Sequence, residues 1–144
     1  MTQKHAEEYL GAVFRLRKGP EDALPLPRLQ AYFGFSPISI HEMVQKLAEQ
    51  GFVVYIPYRG VVLSKAGEQV AAALVRRHRI WERFLTDLLA IPADSVHQVA
   101  DQLEHAAPEL VTERLSRLLG QPDACPHGSL IPAGVVENGR ENEE

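Results

Sequence analysis

The 144-residue sequence predicts a mainly α-helical chain with one small β-hairpin, arranged as an N-terminal three-helix lobe joined by a long helix to an all-α lobe. Three observations predict it. Apolar residues recur at helical spacing through most of the first 119 positions. One stretch departs from that period: Phe52-Val53-Val54-Tyr55-Ile56, then Pro57-Tyr58-Arg59-Gly60, then Val61-Val62-Leu63, which is β-branched and aromatic on either side of a turn. Glycines, prolines and small capping residues punctuate the rest at element boundaries. With 45% apolar and 24% charged residues, the chain can bury a core of ordinary size.

The first helix, residues 5–17, aligns Ala6, Tyr9, Leu10, Val13 and Leu16 or Arg17 on one stripe. Gly19 and Pro20 stop it. Pro25 and Pro27 hold the chain extended, and Pro27 then opens a short second helix, residues 28–33, that ends at Gly34. Ser36 caps a third helix with Pro37 in its first turn. Ile40, Met43, Val44 and Leu47 form its buried stripe, and Gly51 stops it near residue 50. After the hairpin, Ser64 caps a helix over residues 65–90 whose apolar positions include Ala66, Val70, Ala73, Leu74, Trp81, Phe84, Leu85 and Leu88. At about 1.5 Å per residue it is nearly 40 Å long, more than one small lobe needs. Pro92 closes it. Two further helices follow, at residues 94–106 and 108–119, the second ended by Gly120. Residues 121–144 turn to Pro, Gly, Asn and Glu and read as a mostly irregular tail, mobile from residue 135. The domain reading is therefore 1–70, 71–124, and a partly disordered tail at 125–144.

Several function classes drop out on composition. The single cysteine, Cys125, forms no internal disulfide and no thiolate-rich zinc site, which places the chain in a reducing compartment, the cytoplasm. No apolar run approaches the roughly 18 residues of a membrane span, and the charged start MTQKHAEEY is unlike a signal peptide. The net charge of −4 is segregated. Residues 1–76 carry nine Lys or Arg against seven Asp or Glu, and the remainder six against twelve. That split suits one lobe that meets phosphate and another that holds cations.

Three helices, the last two separated by a tight turn, followed by a hairpin, make the order of a winged helix-turn-helix. In that fold the third helix enters the major groove of double-stranded DNA. Ile38, Ser39, His41, Glu42 and Gln45 lie off its buried stripe, beside Pro37 at its start. Ser39, His41 and Gln45 can bond base edges or phosphates, Ile38 can touch a thymine methyl, and Glu42 can accept from cytosine. Lys46 and Arg28 are candidate phosphate contacts, as is Arg59 at the hairpin tip. Taken singly, each of these charges also fits an ordinary solvated face.

The most informative stretch is VHQVADQLEHA. His97, Asp101, Glu104 and His105 stand at i, i+4, i+7 and i+8, within about 100° of a helix circumference. Carboxylates and imidazoles crowded on one face favour a divalent cation. The long helix adds His78 and Glu82 at i, i+4, and the first helix offers Glu7 and Glu8. Imidazole with carboxylate suits manganese, ferrous iron, cobalt or zinc. The same residues also fit two other readings: a dimeric metalloenzyme or metal-storage module whose winged helix mediates protein contacts, and a regulator whose cluster is purely structural. With neither a nucleophile nor a phosphate loop to complete a reaction centre, the chain reads as a non-enzyme.

The stretches EEYLGAVFRL, SPISIHEMVQKLAEQGFV, YRGVVLSKAG, RRHRIWERFLTDLL, DSVHQVADQLEHA and CPHG resemble the diphtheria toxin repressor family of metal-dependent regulators, in its short, manganese-responsive branch. The resemblance implies a homodimer that binds operator DNA when loaded with Mn2+ or Fe2+, with Co2+, Zn2+ or Cd2+ as substitutes, and represses genes for metal uptake. It carries metal ligation onto Glu8, Asp101, Glu104 and His105 as a primary site and onto His78, Glu82 and His97 as an ancillary or partner site. The metal would then tie the DNA-binding lobe to the helical lobe. Trp81, Phe84 and the helix at 108–119 would supply the dimer contact. Three positions depart from the pattern: Asp101 stands where iron-responsive members have cysteine, Glu8 where they have methionine, and Gly11 where the manganese branch has a glutamate ligand. The resemblance gives Cys125 and His127 no ligand role, so they read as linker. It also implies that the SH3-like domain following CPHG in many members is absent here.

Overall fold

A computed structural model describes residues 2–133. Helix α1 (Gln3–Leu16) begins at Thr2, whose hydroxyl accepts from the His5 amide at 3.2 Å, and it buries Ala6, Leu10, Ala12 and Val13. In α2 (Leu26–Phe33) proline occupies the first turn, where its missing N–H costs nothing, and Leu29 points inward. Gly34, at φ 70°, ends it in the left-handed region. Ser36 caps α3 (Pro37–Glu49) by accepting from the Ser39 amide at 3.2 Å. The stripe of Ile40, Met43, Val44 and Leu47 is buried as its spacing predicts.

Strands β1 (Val53–Ile56) and β2 (Gly60–Leu63) pair antiparallel, with Val53 opposite Leu63 and Ile56 opposite Gly60. Leu24 adds a bridge to the far side of β2, exchanging two backbone hydrogen bonds of 2.9 Å with Val61. That third backbone explains Gly60. At φ 130° it lies where L-residues strain, and a Cβ there would sit 2.0 Å from the Leu24 carbonyl oxygen.

Helix α4 (Lys65–Asp87) starts at Ser64, whose Oγ accepts from the Gly67 amide at 3.1 Å and donates to the Gly51 carbonyl at 2.6 Å. The chain divides into two compact units, 1–74 and 75–144, the boundary falling inside α4. Within the first unit, Arg17 grips Glu68 through two 2.6 Å hydrogen bonds with Phe14 beneath its guanidinium. Gly11 is buried there, and a Cβ on it would meet the Leu74 side chain at 2.9 Å. The position that departs from the manganese branch is thus one of close helix packing.

The second unit combines the remainder of α4 with α5 (Ala93–Glu104) and α6 (Glu109–Leu118) around Val75, Ile80, Leu85, Val96, Ala100 and Leu115. Its helices end one to three residues before the positions that periodicity suggests. Ala90, at φ 52°, turns the chain out of α4 ahead of Pro92, and His105 becomes the C-cap of α5. Residues 121–133 form no helix or named strand, but they fold back as a strap. Ala124 bridges Leu130, Cys125 N–H donates to the Ser129 carbonyl at 2.8 Å, and Arg76 donates to the Pro132 carbonyl at 3.0 Å. Arg79 donates to the Leu130 carbonyl. The expected mobility from residue 135 lies outside the described residues. Among the described residues, no helix is long and apolar enough to cross a membrane.

Candidate functional site

Two groups of residues carry chemistry, one in each unit. In the second unit, α4 and α5 pack so that His78 becomes the hub of a polar cluster. Its Nδ1 lies 2.5 Å from Glu104 Oε2 and 3.2 Å from Asp101 Oδ1, and its Nε2 lies 2.6 Å from Glu82 Oε1 and 3.0 Å from His97 Nδ1. His97 Nε2 reaches Asp101 Oδ2 at 3.6 Å, and His105 Nε2 reaches Glu104 Oε1 at 3.2 Å. The helical register explains the assembly: His78 and Glu82 are one turn apart on α4, and His97, Asp101 and Glu104 repeat along α5. His78, Glu82 and Glu104 are each less than 5% exposed, so this charge is held out of water.

Burial opposes a charge on His78, yet the hydrogen bonds it donates to Asp101, Glu104 and Glu82 outweigh it and raise the imidazole to about 10. Burial pushes the Glu82 carboxyl up, but the hydrogen bond and positive charge of His78, helped by His127 and His97, bring it below its ordinary range. The cluster is therefore held together by a buried imidazolium facing three carboxylates. It is an anionic pocket whose cation is a proton.

Its donors also fit a metal. Glu82 Oε2 is buried and accepts no hydrogen bond, although His127 Nδ1 lies 2.9 Å away. Ligand atoms of His78, His97 and Asp101 come within 4.8 Å of one another, and so do those of Glu82, Cys125 and His127. The second trio takes in Cys125 and His127, which the sequence reads as linker. The strap returns Cys125, 5% exposed, and His127 to the Glu82 side of α4. The Cys-x-His spacing in CPHG was the available signal, but only the fold-back shows which carboxylate it meets. His105 caps α5 next to Glu104. Glu8 belongs to the first unit, where it lines a cavity of about 400 Å³ with His5, Tyr9, Phe33, Glu42 and Lys46.

The second group is the outward face of α3 and the hairpin. Pro37, Ile38, Ser39, His41, Glu42, Gln45 and Lys46 are all exposed, Ile38 to 72%. His41 and Gln45 stand 3.4 Å apart, and the His41 ring meets Tyr55 of β1 edge-on, with centroids 5.7 Å apart. Tyr58, fully exposed at φ 66°, and Arg59 form the hairpin tip. Arg28 is exposed on α2.

A winged helix followed by a helical unit that gathers imidazoles and carboxylates is the architecture of metal-responsive regulators as a class. Residues 1–61 match the family model for the iron-dependent repressor N-terminal DNA-binding domain, and residues 64–133 match the model for the iron-dependent repressor metal-binding and dimerisation domain. The chain belongs to the iron-dependent repressor family. It is 32% identical over 134 residues to the iron-dependent repressor IdeR of Mycobacterium tuberculosis, an alignment covering 92% of this chain and 57% of that protein. To the diphtheria toxin repressor of Corynebacterium diphtheriae it is 30% identical over 139 residues, covering 96% and 60%. Among solved structures it is similar to a manganese-dependent transcriptional repressor in complex with manganese, at TM-score 0.80 and 36% identity, over 90% of this chain and 59% of that one. The chain thus spans about three fifths of the length of these relatives.

Proposed function

We propose that this chain is a metal-dependent DNA-binding transcriptional repressor that acts as a homodimer on double-stranded operator DNA when loaded with Mn2+ or Fe2+. One observation carries the reading: a winged helix and a cluster of the buried His78, Glu82 and Glu104 with the half-exposed Asp101 occur on one chain. The metals named for its neighbours support the choice of ion, with manganese in one repressor complex and Zn2+ and Cd2+ in structures of ScaR. The proposed ligands are His78, Glu82, His97, Asp101, Glu104 and His105, extended by Cys125 and His127 on the Glu82 side. Glu8 joins them on the family resemblance, not on geometry. A bound divalent ion supplies the positive charge that three carboxylates call for. The chain's own part is to hold those carboxylates preformed, and to release the His78 proton so that the imidazole can ligate.

Pro37, Ile38, Ser39, His41, Glu42 and Gln45 are the proposed reading face, and Arg28, Lys46 and Arg59 the proposed phosphate contacts. A regulator, rather than a metalloenzyme or storage module, is what this combination serves, and the cytoplasm is its proposed place. The deciding experiment titrates duplex selected by the protein with Mn2+, Fe2+, Co2+ and Zn2+ in turn, and with chelator. Affinity should rise with metal and collapse with chelator. Affinity indifferent to both defeats the reading.

A further inference from the structure

We propose that Tyr55, on the hairpin, is a positioning residue for base reading: it holds His41, and His41 fixes the carboxamide of Gln45 in the one orientation that reads adenine. This rests on the DNA-binding function proposed above. Ile38, His41 and Gln45 stand at i, i+3 and i+7, within about 60° of one another at about 100° per residue. They lie on the side of α3 opposite Ile40, Met43, Val44 and Leu47. All three are exposed, so nothing in the core demands the contacts that His41 and Gln45 make.

Those contacts are nevertheless specific. The imidazole stands at 88° to the Tyr55 ring, the edge-to-face arrangement that aromatic quadrupoles favour. The backbone that carries Tyr55 is held by β-pairing with Val61. On its other side, His41 Nε2 lies 3.4 Å from Gln45 Nε2. An amide nitrogen only donates, so this contact assigns His41 Nε2 as the acceptor and requires the tautomer with its proton on Nδ1. Gln45 then has one N–H engaged and turns its second N–H and its Oε1 outward.

That pair is the complement of adenine, which offers N7 as acceptor and the N6 amino group as donor in the major groove. Guanine offers two acceptors there, N7 and O6, and the outward Oε1 would face O6 with no proton between them. A carboxamide free to rotate by 180° about its last torsion does not fix which end meets which atom. The hairpin thus contributes to specificity without touching a base, by restricting a side chain on the neighbouring helix.

The test is selection from a random duplex pool by the full chain with Mn2+, using wild type, Tyr55→Phe, Tyr55→Leu, His41→Ala and Gln45→Ala. The base pair whose preference Gln45→Ala abolishes is the one that Gln45 reads. Wild type and Tyr55→Phe should prefer adenine over guanine there, and Tyr55→Leu and His41→Ala should lose about tenfold of that preference. The two Tyr55 variants should keep wild-type melting temperature, affinity for non-specific duplex and salt slope, which separates positioning from a structural role. A Tyr55→Leu protein with undiminished preference, or a Tyr55→Phe protein as impaired as Tyr55→Leu, overturns the proposal. A wild-type protein that enriches no motif overturns the DNA-reading function itself, a distinguishable result.

Discussion

His78 on α4 and Glu104 at the end of α5, 26 positions apart, meet at 2.5 Å with both side chains buried. Each helps to compensate the other's lost water, so removing the Glu104 charge leaves the buried His78 imidazolium with one carboxylate fewer beside Asp101 and Glu82. Glu104→Gln keeps the shape and deletes the charge. It should cost the metal-free protein about 3 kcal/mol, the lower end for breaking a buried pair, read as a lowered denaturant midpoint at unchanged m-value. Unaltered stability would mean that the pair is not formed in solution.

The same pair gives a pH dependence with a definite sign. The His78 imidazole titrates at about 10 in the folded chain, above its ordinary 6.5. A group raised on folding binds protons more tightly in the native state, so its stabilisation is complete below pH 6.5 and is lost as pH climbs through about 10. The melting temperature of chelated protein should fall across that range. Metal binding near neutrality should release protons, since the ligating imidazole must be neutral. Calorimetry of Mn2+ binding in buffers of different ionisation enthalpy counts them. A heat independent of buffer would show that His78 is already neutral.

Asp101 separates ligation from folding. It is 47% exposed in its side chain, so Asp101→Ala should leave the protein folded while removing most of the Mn2+ enhancement of operator affinity. Glu8→Ala should do the same if the first unit contributes a ligand. A full metal response in both variants would exclude these carboxylates from the switch. Because linkage is reciprocal, operator DNA should tighten Mn2+ binding to the wild type by the same factor that Mn2+ tightens operator binding.

Much of this was legible in the sequence, because it depends on short-range rules. Helix starts at Ser36 and Ser64, the left-handed stop at Gly34, and the buried stripe of α3 are all local physics. The i, i+4 spacing placed His78 beside Glu82 and His97 beside Asp101. Gly11 was not legible, since its reason is the Leu74 side chain 63 positions away. Neither was the return of Cys125 and His127 to Glu82, because an irregular strap has no periodicity to read and is placed here by Arg76 and Arg79 donating to its carbonyls. His41 was legible as an exposed polar residue on α3. Its partner Tyr55 was not, since that contact crosses from helix to hairpin.

The strap trio predicts a change in metal preference. Thiolate and imidazole beside a carboxylate favour the softer borderline ions, Zn2+ and Co2+, over Mn2+. Cys125→Ser should therefore weaken Co2+ and Zn2+ binding well beyond any effect on Mn2+. It should also remove the sulfur-to-metal charge-transfer absorption that Co2+ shows when bound by a thiolate. His127→Ala should weaken the same ions while leaving that absorption in place, reduced in amount. Both substitutions leave His78, Asp101 and Glu104 untouched, so the Mn2+ response of DNA binding should survive. A Co2+ spectrum identical in wild type and Cys125→Ser would show that the Cys125 sulfur is packing and not a ligand.

Arg59 tests the hairpin's electrostatic part separately from its positioning part. It is exposed at the tip beside the exposed Tyr58, so its truncation removes no core residue. Arg59→Ala should weaken binding to all duplexes by a similar factor and reduce the slope of log affinity against log salt by about one. The adenine preference set by Gln45 should be unchanged, because a phosphate contact carries no sequence information. Titration of selected and scrambled duplexes at several salt concentrations reads both quantities. A loss confined to the selected duplex, at constant slope, would move Arg59 from phosphate contact to base contact.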